Sequence, residues 1–185
     1  LCTVRATFHP AASTPYEIVI DPKMSFGTGH HETTYMMLQF LLNEELTNKK
    51  VLDMGCGTSV LAIMAAKRGA TDITAIDVDE WCVENSIENV QRNGCEHIQV
   101  QLGDASSLAN KKNFDLIIAN INRNILLADI PHYAQSLKAG GTLLLSGFYE
   151  EDIPLICEKA EAYSLQYVEN SERNKWVAVK FKKQA

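Results

Sequence analysis

The chain has 185 residues, of which 46% are hydrophobic and 22% charged, and its formal net charge is −6. This length and balance fit one globular domain over residues 1–185, with a core large enough to fold without disulfide staples. The acidic balance argues against a domain that grips nucleic acid mainly through phosphates. The sequence has neither an apolar run of about 18 residues nor a signal-peptide pattern, so we expect a cytoplasmic protein.

The first 46 residues predict two short strands, a loop and a helix. The strands are expected at residues 1–8 and 16–20, and the loop over residues 21–30. The helix is expected over residues 32–46, where one apolar stripe is formed by Met36, Met37, Phe40 and Leu41. The chain starts inside a predicted strand and without an initiator Met, so we interpret it as a fragment of a longer protein.

From residue 50 onward, short β-branched runs alternate with amphipathic stretches, which is typical of a parallel sheet covered by helices on both faces. Seven strands are predicted, at residues 50–54, 72–76, 97–102, 114–120, 141–146, 164–170 and 175–181. The last two are separated by a polar turn and should form an antiparallel hairpin. The predicted fold is α/β: a seven-stranded, mostly parallel, doubly wound Rossmann-like sheet with this hairpin and a short amino-terminal β extension.

Four helices are predicted between these strands. The first follows residues 50–54 and ends at Gly69. The second spans residues 80–92 and is expected to bury Trp81, Val83, Ile87 and Val90. The third stops at Gly140 and has an apolar side formed by Ile125, Leu126, Ile130, Tyr133 and Leu137. The fourth spans residues 151–163.

A glycine-containing turn follows the first sheet strand and leads directly into a helix. Gly55 and Gly57 permit a tight turn and the close approach of a ligand at the carboxyl edge of the sheet. Asp77 closes the next strand about 20 residues on, where a carboxylate can accept hydrogen bonds from both ribose hydroxyls. A Gly-x-Gly turn is often only a turn, and an Asp at a strand end is often a helix N-cap, a role that Asp79 could take here. Together these residues predict a nucleoside-containing cofactor.

The glycine spacing distinguishes a dinucleotide from S-adenosylmethionine. A dinucleotide fingerprint needs a third glycine, and Val60 stands at that position. Asp53 would repel a pyrophosphate, whereas it could order a cationic sulfonium ligand directly or through water. Asp104 either accepts a hydrogen bond from the adenine amino group or caps a turn. These residues favour S-adenosylmethionine; no disulfide or metal site is predicted, because the five cysteines are scattered.

Two segments resemble motifs of a known family. The loop before the first helix reads Phe26-Gly27-Thr28-Gly29-His30-His31-Glu32-Thr33-Thr34, and the fourth sheet strand ends in Ile118-Ala119-Asn120-Ile121. Both resemble the ribosomal protein L11 methyltransferases (PrmA), which are class I S-adenosylmethionine-dependent methyltransferases, and the resemblance covers essentially the whole chain. It implies a protein N-methyltransferase that modifies lysine side chains, the amino-terminal amine, or both, of a large-subunit ribosomal protein.

The resemblance also implies site residues. The cofactor contacts would fall on Thr34, Gly55, Asp77 and Asn120, and the loop closing over the donor would consist of Phe26, Gly27, Thr28 and Gly29. We expect Asn120 to orient the acceptor nitrogen towards the methyl group. His30 and His31 border this site, either as bases or as polar residues of the loop and the helix start.

The sequence departs from the family pattern at two places. Ser59 occupies a position where the family commonly has a third glycine, and Asn122-Arg123 replaces a short apolar pair, so acceptor-side contacts cannot be transferred. The family also has a separate amino-terminal substrate-recognition domain, which we expect to be absent from this chain.

Two other functions remain open. One is a nucleic-acid or other amine N-methyltransferase of the same fold, although no aromatic residue follows Asn120 to stack a flipped base. The other is a non-catalytic scaffold that binds the cofactor or a ribosomal partner. For the chain as a protein methyltransferase, we expect a monomer with no direct grip on nucleic acid and no contact with a membrane.

Overall fold

The amino-terminal region forms a two-stranded sheet and a helix in the computed structural model, which describes residues 1–21 and 23–185. Strands β1 (Cys2–Arg5) and β2 (Tyr16–Val19) pair in parallel, and helix α1 spans Glu32–Asn43. Both strands lie within the predicted ranges, and the predicted apolar stripe of α1 is buried. The helix ends earlier than predicted because Glu44 adopts an extended conformation, with φ −84° and ψ 145°.

The central sheet contains the other seven strands, which are β3 (Lys50–Met54), β4 (Asp72–Asp77), β5 (Gln99–Leu102), β6 (Phe114–Asn120), β7 (Leu137–Tyr149), β8 (Leu165–Arg173) and β9 (Trp176–Lys183). Their spatial order is β5-β4-β3-β6-β7-β9-β8. Strands β3 to β7 run parallel, and β9 runs antiparallel to both β7 and β8. The predicted fold class is thereby confirmed. The winding reverses between β3 and β6, which creates a crevice at their carboxyl ends.

Four helices cover this sheet, namely α2 (Val60–Lys67), α3 (Glu80–Arg92), α4 (Arg123–Ser136) and α5 (Ile153–Glu161). Helix α2 is followed by Gly69 in the left-handed region at φ +98°, as predicted. Helix α4 ends before the predicted glycine stop because Leu137 already pairs with Phe114 at the start of β7. None of the described helices combines the length and the apolar character needed to cross a membrane.

Two hydrophobic cores lie on opposite faces of the sheet. Along β6, Leu116 and Ile118 belong to the core that includes α1 and α2, whereas Ile117 and Ala119 belong to the core that includes α4 and α5. Successive residues of a strand face opposite sides, so a strand buried on both faces is apolar throughout. This is why the apolar run alone predicted the bounds of β6 correctly.

The buried face of α3 differs from the prediction. Trp81 and Ile87 are 51% and 41% exposed, so their predicted burial is wrong, whereas Val90 is buried as expected. The helix instead buries polar side chains, among them Asn85 and Asn89. Their amides form hydrogen bonds with the backbone of Asp21 and of the turn after β3, and a polar group with such partners can be buried at little cost.

Candidate active site

A cavity of about 860 Å³ opens at the carboxyl ends of β3, β4 and β6. The reversal of strand order at this point makes it the expected ligand site of the fold. The predicted site residues that line it are Phe26, Gly55, Gly57, Asp77, Asp104 and Asn120. Six side chains or backbone positions from five separate segments of the sequence therefore converge on one space.

The turn after β3 is packed directly against the loop that begins at Phe26. The Thr58 backbone N–H donates to the Phe26 carbonyl at 2.9 Å, and the Thr58 hydroxyl donates to the Gly27 carbonyl at 2.6 Å. Gly57 has φ +54°, and a Cβ at this position would lie 2.3 Å from the Phe26 carbonyl oxygen. Glycine is therefore favoured at position 57 by the backbone conformation and required there by the closeness of the loop.

Ser59 ends the turn in the left-handed region, with φ 64° and ψ 20°. This conformation explains why a glycine is expected at its position in the family pattern. The side chain is fully buried; its hydroxyl donates to the Ser86 hydroxyl at 2.8 Å, which in turn donates to the Gly57 carbonyl at 2.6 Å. A serine is thus accommodated by a pair of hydrogen bonds that also hold the turn.

The Asp77 carboxylate lies at the end of β4 and is only 8% exposed. One oxygen accepts from the Gly57 N–H at 2.9 Å and the other accepts from the Asp79 N–H at 3.1 Å. Asp79 occupies the N-cap position of α3, but its side chain makes no capping hydrogen bond, so the role considered for it is not seen. Each Asp77 oxygen retains a further lone pair, and backbone donors fix where the carboxylate points.

Asp53 does not line the cavity, so its side chain is not placed to order a ligand directly. Its carboxylate is buried beneath the turn and accepts from the Ala62 N–H at 3.1 Å, inside the first turns of α2. Burial raises the pKa of Asp53 to about 7, and the neighbouring charge of Asp77 adds to this effect. The amide of Ala62, unpaired within the start of α2, provides the hydrogen-bond partner of this buried side chain.

Four residues carried over from the family resemblance do not line the cavity, namely Gly27, Thr28, Gly29 and Thr34. Gly29 packs against β1, where an added Cβ would be 2.8 Å from the Cβ of Val4, and Thr28 is half-buried beside it. Thr34 is fully buried in the first turn of α1, and its hydroxyl has no hydrogen-bond partner within the described residues. It is the preceding residue, Thr33, that reaches the cavity. The hydroxyl of Thr34 is thus a buried polar group left without a partner beside the site.

Asp104 lies at the other end of the cavity, after β5. Its carboxylate accepts from the Ser106 N–H at 2.9 Å and caps a short 3-10 turn over Ala105–Leu108. The Ser106 hydroxyl and amide lower the pKa of Asp104, so its carboxylate is charged. The capping role, which was one of the two roles considered for Asp104 from the sequence, is therefore present. The same side chain also lines the cavity next to Ala105.

Asn120 ends β6 where β7 approaches most closely. The next residue, Ile121, donates its N–H to the Ser146 carbonyl at 3.1 Å. Gly147 follows with φ +102°, and a Cβ there would lie 2.2 Å from the Ile121 carbonyl oxygen. This close contact leaves the half-buried Asn120 side chain on the cavity surface, as predicted, together with Ile121 and Gly147.

A row of aromatic rings, which the sequence did not predict, forms the wall near Asn120. Phe26 and His31 meet edge to face with ring centroids 5.1 Å apart, His31 and Trp176 at 5.0 Å, and Trp176 stacks on Tyr149 at 4.2 Å. We call these four residues the aromatic wall. Phe26, His31 and Trp176 line the cavity. The hairpin places Trp176 there, because the first residue of β9 pairs with Tyr149 at the end of β7.

His31 also starts α1. Its Nδ1 accepts from the Thr33 N–H at 3.2 Å, which is a capping role, whereas His30 is exposed. The hairpin is fastened to the same helix start, since the Asn174 side chain donates to Glu32 at 3.0 Å. The aromatic wall therefore joins the beginning of α1 to the beginning of β9.

Comparison with known proteins relates the chain to one family. A family model described as ribosomal protein L11 methyltransferase (PrmA) matches residues 2–184. The protein of that name from Phocaeicola vulgatus is 55% identical over 181 residues, which cover 97% of this chain and 64% of that protein. The one from Porphyromonas gingivalis is also 55% identical, over 97% of this chain and 62% of that protein. The chain thus spans less than two thirds of the length of these relatives.

Solved structures show the same relationship. A ribosomal protein L11 methylase from Lactobacillus delbrueckii subsp. bulgaricus is 28% identical with a TM-score of 0.87, over 97% of this chain and 91% of that one. A precorrin-6y C5,15-methyltransferase from Geobacter metallireducens has a TM-score of 0.70 at 13% identity, over 84% of this chain and 90% of that one. The second similarity concerns the fold alone.

Proposed function

Because the chain belongs to the ribosomal protein L11 methyltransferase (PrmA) family, we propose that it transfers methyl groups from S-adenosylmethionine to amino groups of ribosomal protein L11. The observation that carries the proposal is a single cavity with carboxylates at one end, and an amide and aromatic rings at the other. The acceptors are lysine side chains, the amino-terminal amine, or both. A ribosomal-protein substrate implies a reaction in the cytoplasm.

The carboxylate end suits the nucleoside part of the donor. Asp77 is held by two backbone amides with lone pairs to spare, so it can accept from ribose hydroxyls without reorganising. Asp104, Ala105 and Val78 offer an acceptor and apolar surface for an adenine ring. Because Gly55 and Gly57 have no side chains, their backbone atoms line the cavity directly. Bound there, S-adenosylmethionine supplies a methyl carbon activated by a positively charged sulfur.

The Asn120 end suits an amine. Methyl transfer to nitrogen is an in-line displacement, so the protein contributes mainly position and exclusion of water. An Asn120 oxygen can accept from the amine and direct its lone pair into the cavity. The aromatic wall is apolar but attracts cations through its ring faces, so it can admit a lysine side chain while keeping water out. A lysine with an ordinary pKa of about 10.4 must lose a proton first, and a dry site next to a sulfonium favours that loss.

One observation favours the alternative of a nucleic-acid amine methyltransferase. The sequence has no aromatic residue directly after Asn120, but Phe26 and Trp176 approach from other segments and could stack a flipped base. Membership of a family named for a protein substrate and the net charge of −6 favour the protein amine. The two substrates are distinguished by offering both to the same enzyme.

The test combines donor binding with product analysis. Calorimetry with S-adenosylmethionine should give saturable binding to the chain; no binding would favour a scaffold that binds a ribosomal partner, or a different ligand. Mass spectrometry of ribosomal protein L11 after incubation with labelled donor and the full-length protein should show added methyl groups, and ribosomal RNA treated alike should show none. Asn120→Ala should reduce turnover by about 10²-fold or more while changing donor affinity much less. Unchanged turnover in this variant would remove Asn120 from the proposed mechanism.

A further inference from the structure

Helix α3 carries three asparagines at intervals of four residues, Asn85, Asn89 and Asn93, which therefore share one face. Asn85 is 1% exposed and Asn89 is fully buried. A buried amide face on an amphipathic helix is unusual, since asparagine is mostly an exposed residue. Each of the three side chains contacts backbone that is far away in the sequence, so the face has specific partners.

The two outer asparagines hold the segment that leads into the Phe26 loop. Asn93 accepts from the Val19 N–H at 2.8 Å and donates to the Val19 carbonyl at 2.7 Å, and thereby fixes the end of β2. Asn85 donates to the Asp21 carbonyl at 3.1 Å. Neither contact involves the turn after β3.

Asn89 is the member of this face that contacts both the segment before the Phe26 loop and the turn after β3. Its oxygen accepts from the Asp21 N–H at 3.0 Å and from Arg92 at 2.8 Å, while its NH₂ group donates to the Thr58 carbonyl at 3.2 Å. Thr58 in turn donates to the carbonyls of Phe26 and Gly27. A continuous chain of hydrogen bonds therefore runs from Asp21 through Asn89 and Thr58 to the Phe26 loop.

We propose that Asn89 is a positioning residue for donor binding, which sets the turn after β3 and the Phe26 loop at a fixed separation. It rests on the proposed donor site, because the turn and the loop both line the cavity in which the donor is expected to bind. Asn89 is too deeply buried to touch a ligand. Asn89 acts through Thr58, whose N–H, hydroxyl and carbonyl are all hydrogen-bonded. These three bonds together hold Thr58 in a single position.

Asn89→Asp separates the two halves of this role. Aspartate keeps an oxygen to accept from Asp21 and Arg92, but it loses the donor to Thr58 and sets two acceptor oxygens against each other. Asn89→Ala removes both contacts. Asn93→Ala is the matched control, because it loosens the same segment from the same helix face without touching the turn.

Calorimetry with S-adenosylmethionine on the 185-residue chain should show at least about a tenfold rise in the donor dissociation constant for Asn89→Asp and Asn89→Ala. The donor dissociation constant of Asn93→Ala should stay within about twofold of the native value, even if its melting temperature falls as far as that of the Asn89 variants. Native-like donor affinity in both Asn89 variants would overturn the proposal, as would an equal loss of affinity in Asn93→Ala.

Amide hydrogen exchange without donor provides a second readout. The Thr58 N–H should exchange faster in both Asn89 variants than in Asn93→Ala, since only the former release the turn. Equal protection of Thr58 in all three variants would contradict the positioning role. If the native chain failed to bind S-adenosylmethionine, the proposed donor would be wrong, and the exchange rates would still decide whether Asn89 positions the turn.

Discussion

Replacing Gly57 with alanine tests whether the Phe26 loop depends on the turn after β3. A Cβ at position 57 would lie 2.3 Å from the Phe26 carbonyl oxygen and 3.2 Å from its carbonyl carbon. Both atoms belong to the backbone, so no side-chain rotation can relieve the contact and the loop must move. Gly94 is a matched control, because it has φ +66° while a Cβ there meets nothing within 4 Å.

The two variants share one energetic cost and differ in another. Alanine in the left-handed region costs about 1–2 kcal/mol at either position. Overpacking against fixed neighbours adds about 1–3 kcal/mol at position 57 alone. We therefore expect Gly94→Ala to lower the free energy of unfolding by about 1–2 kcal/mol and Gly57→Ala by about 2–5 kcal/mol.

Urea denaturation followed by circular dichroism measures the two free energies of unfolding, and calorimetry measures donor affinity. Gly57→Ala should weaken S-adenosylmethionine binding at least about tenfold, whereas Gly94→Ala should bind it as the native chain does. Equal losses of stability together with native donor binding in both variants would refute the idea that the loop rests on the turn.

Three further substitutions have definite expected outcomes. Ser59→Gly should be more stable than Ser59→Ala by about 1 kcal/mol in urea denaturation. Both variants lose the hydroxyl, but only the alanine is strained in the left-handed region. At a site without this strain, the alanine variant would be the more stable of the two. The folded pKa of Asp53, about 7, lies above its ordinary value, so the contribution of Asp53 to the stability of the chain should fall as pH rises from about 4 to 7. Asp53→Asn should flatten that dependence, and identical pH profiles would contradict the burial argument. Arg123 and the largely buried Asp152 are paired at 2.6 Å. Arg123→Ala should cost about 1 kcal/mol, because it leaves that carboxylate without its cation. The double variant with Asp152→Ala should lose less than the sum of the two single losses, and strict additivity would mean that the pair is not coupled.

The sheet was predictable because the residues within each strand form a recognisable pattern. The bounds of β3 and β6 follow from short apolar runs ended by polar or glycine residues, which local physics decides. The turn with Gly55 and Gly57 and the carboxylate of Asp77 were predictable for a similar reason, since the end of a parallel strand has a known place in the fold.

The parts that the sequence did not predict depend on distant partners. Asn85 and Asn89 are buried next to backbone groups some 64 and 68 residues away, to which their side chains are hydrogen-bonded, and a helical periodicity of apolar residues contains no trace of those partners. The Asp53 carboxylate accepts from the Ala62 N–H and does not line the cavity. The spacing of residues in the sequence does not distinguish these two nearby positions. Trp176 reached the cavity only because the hairpin returns it to the end of β7.

The aromatic wall has a consequence for how the enzyme matures. Its rings come from Phe26 and His31 near the start of the chain and from Trp176 near its end, and Asn174 fastens the two regions together. Synthesis proceeds from the amino terminus, so the nucleoside side of the cavity can assemble while β8 and β9 are still inside the ribosome. A nascent chain that ends in α5 already has Asp77 and the turn, but the side of its cavity near Asn120 is open to water. The hairpin of β8 and β9 is the element that closes that side.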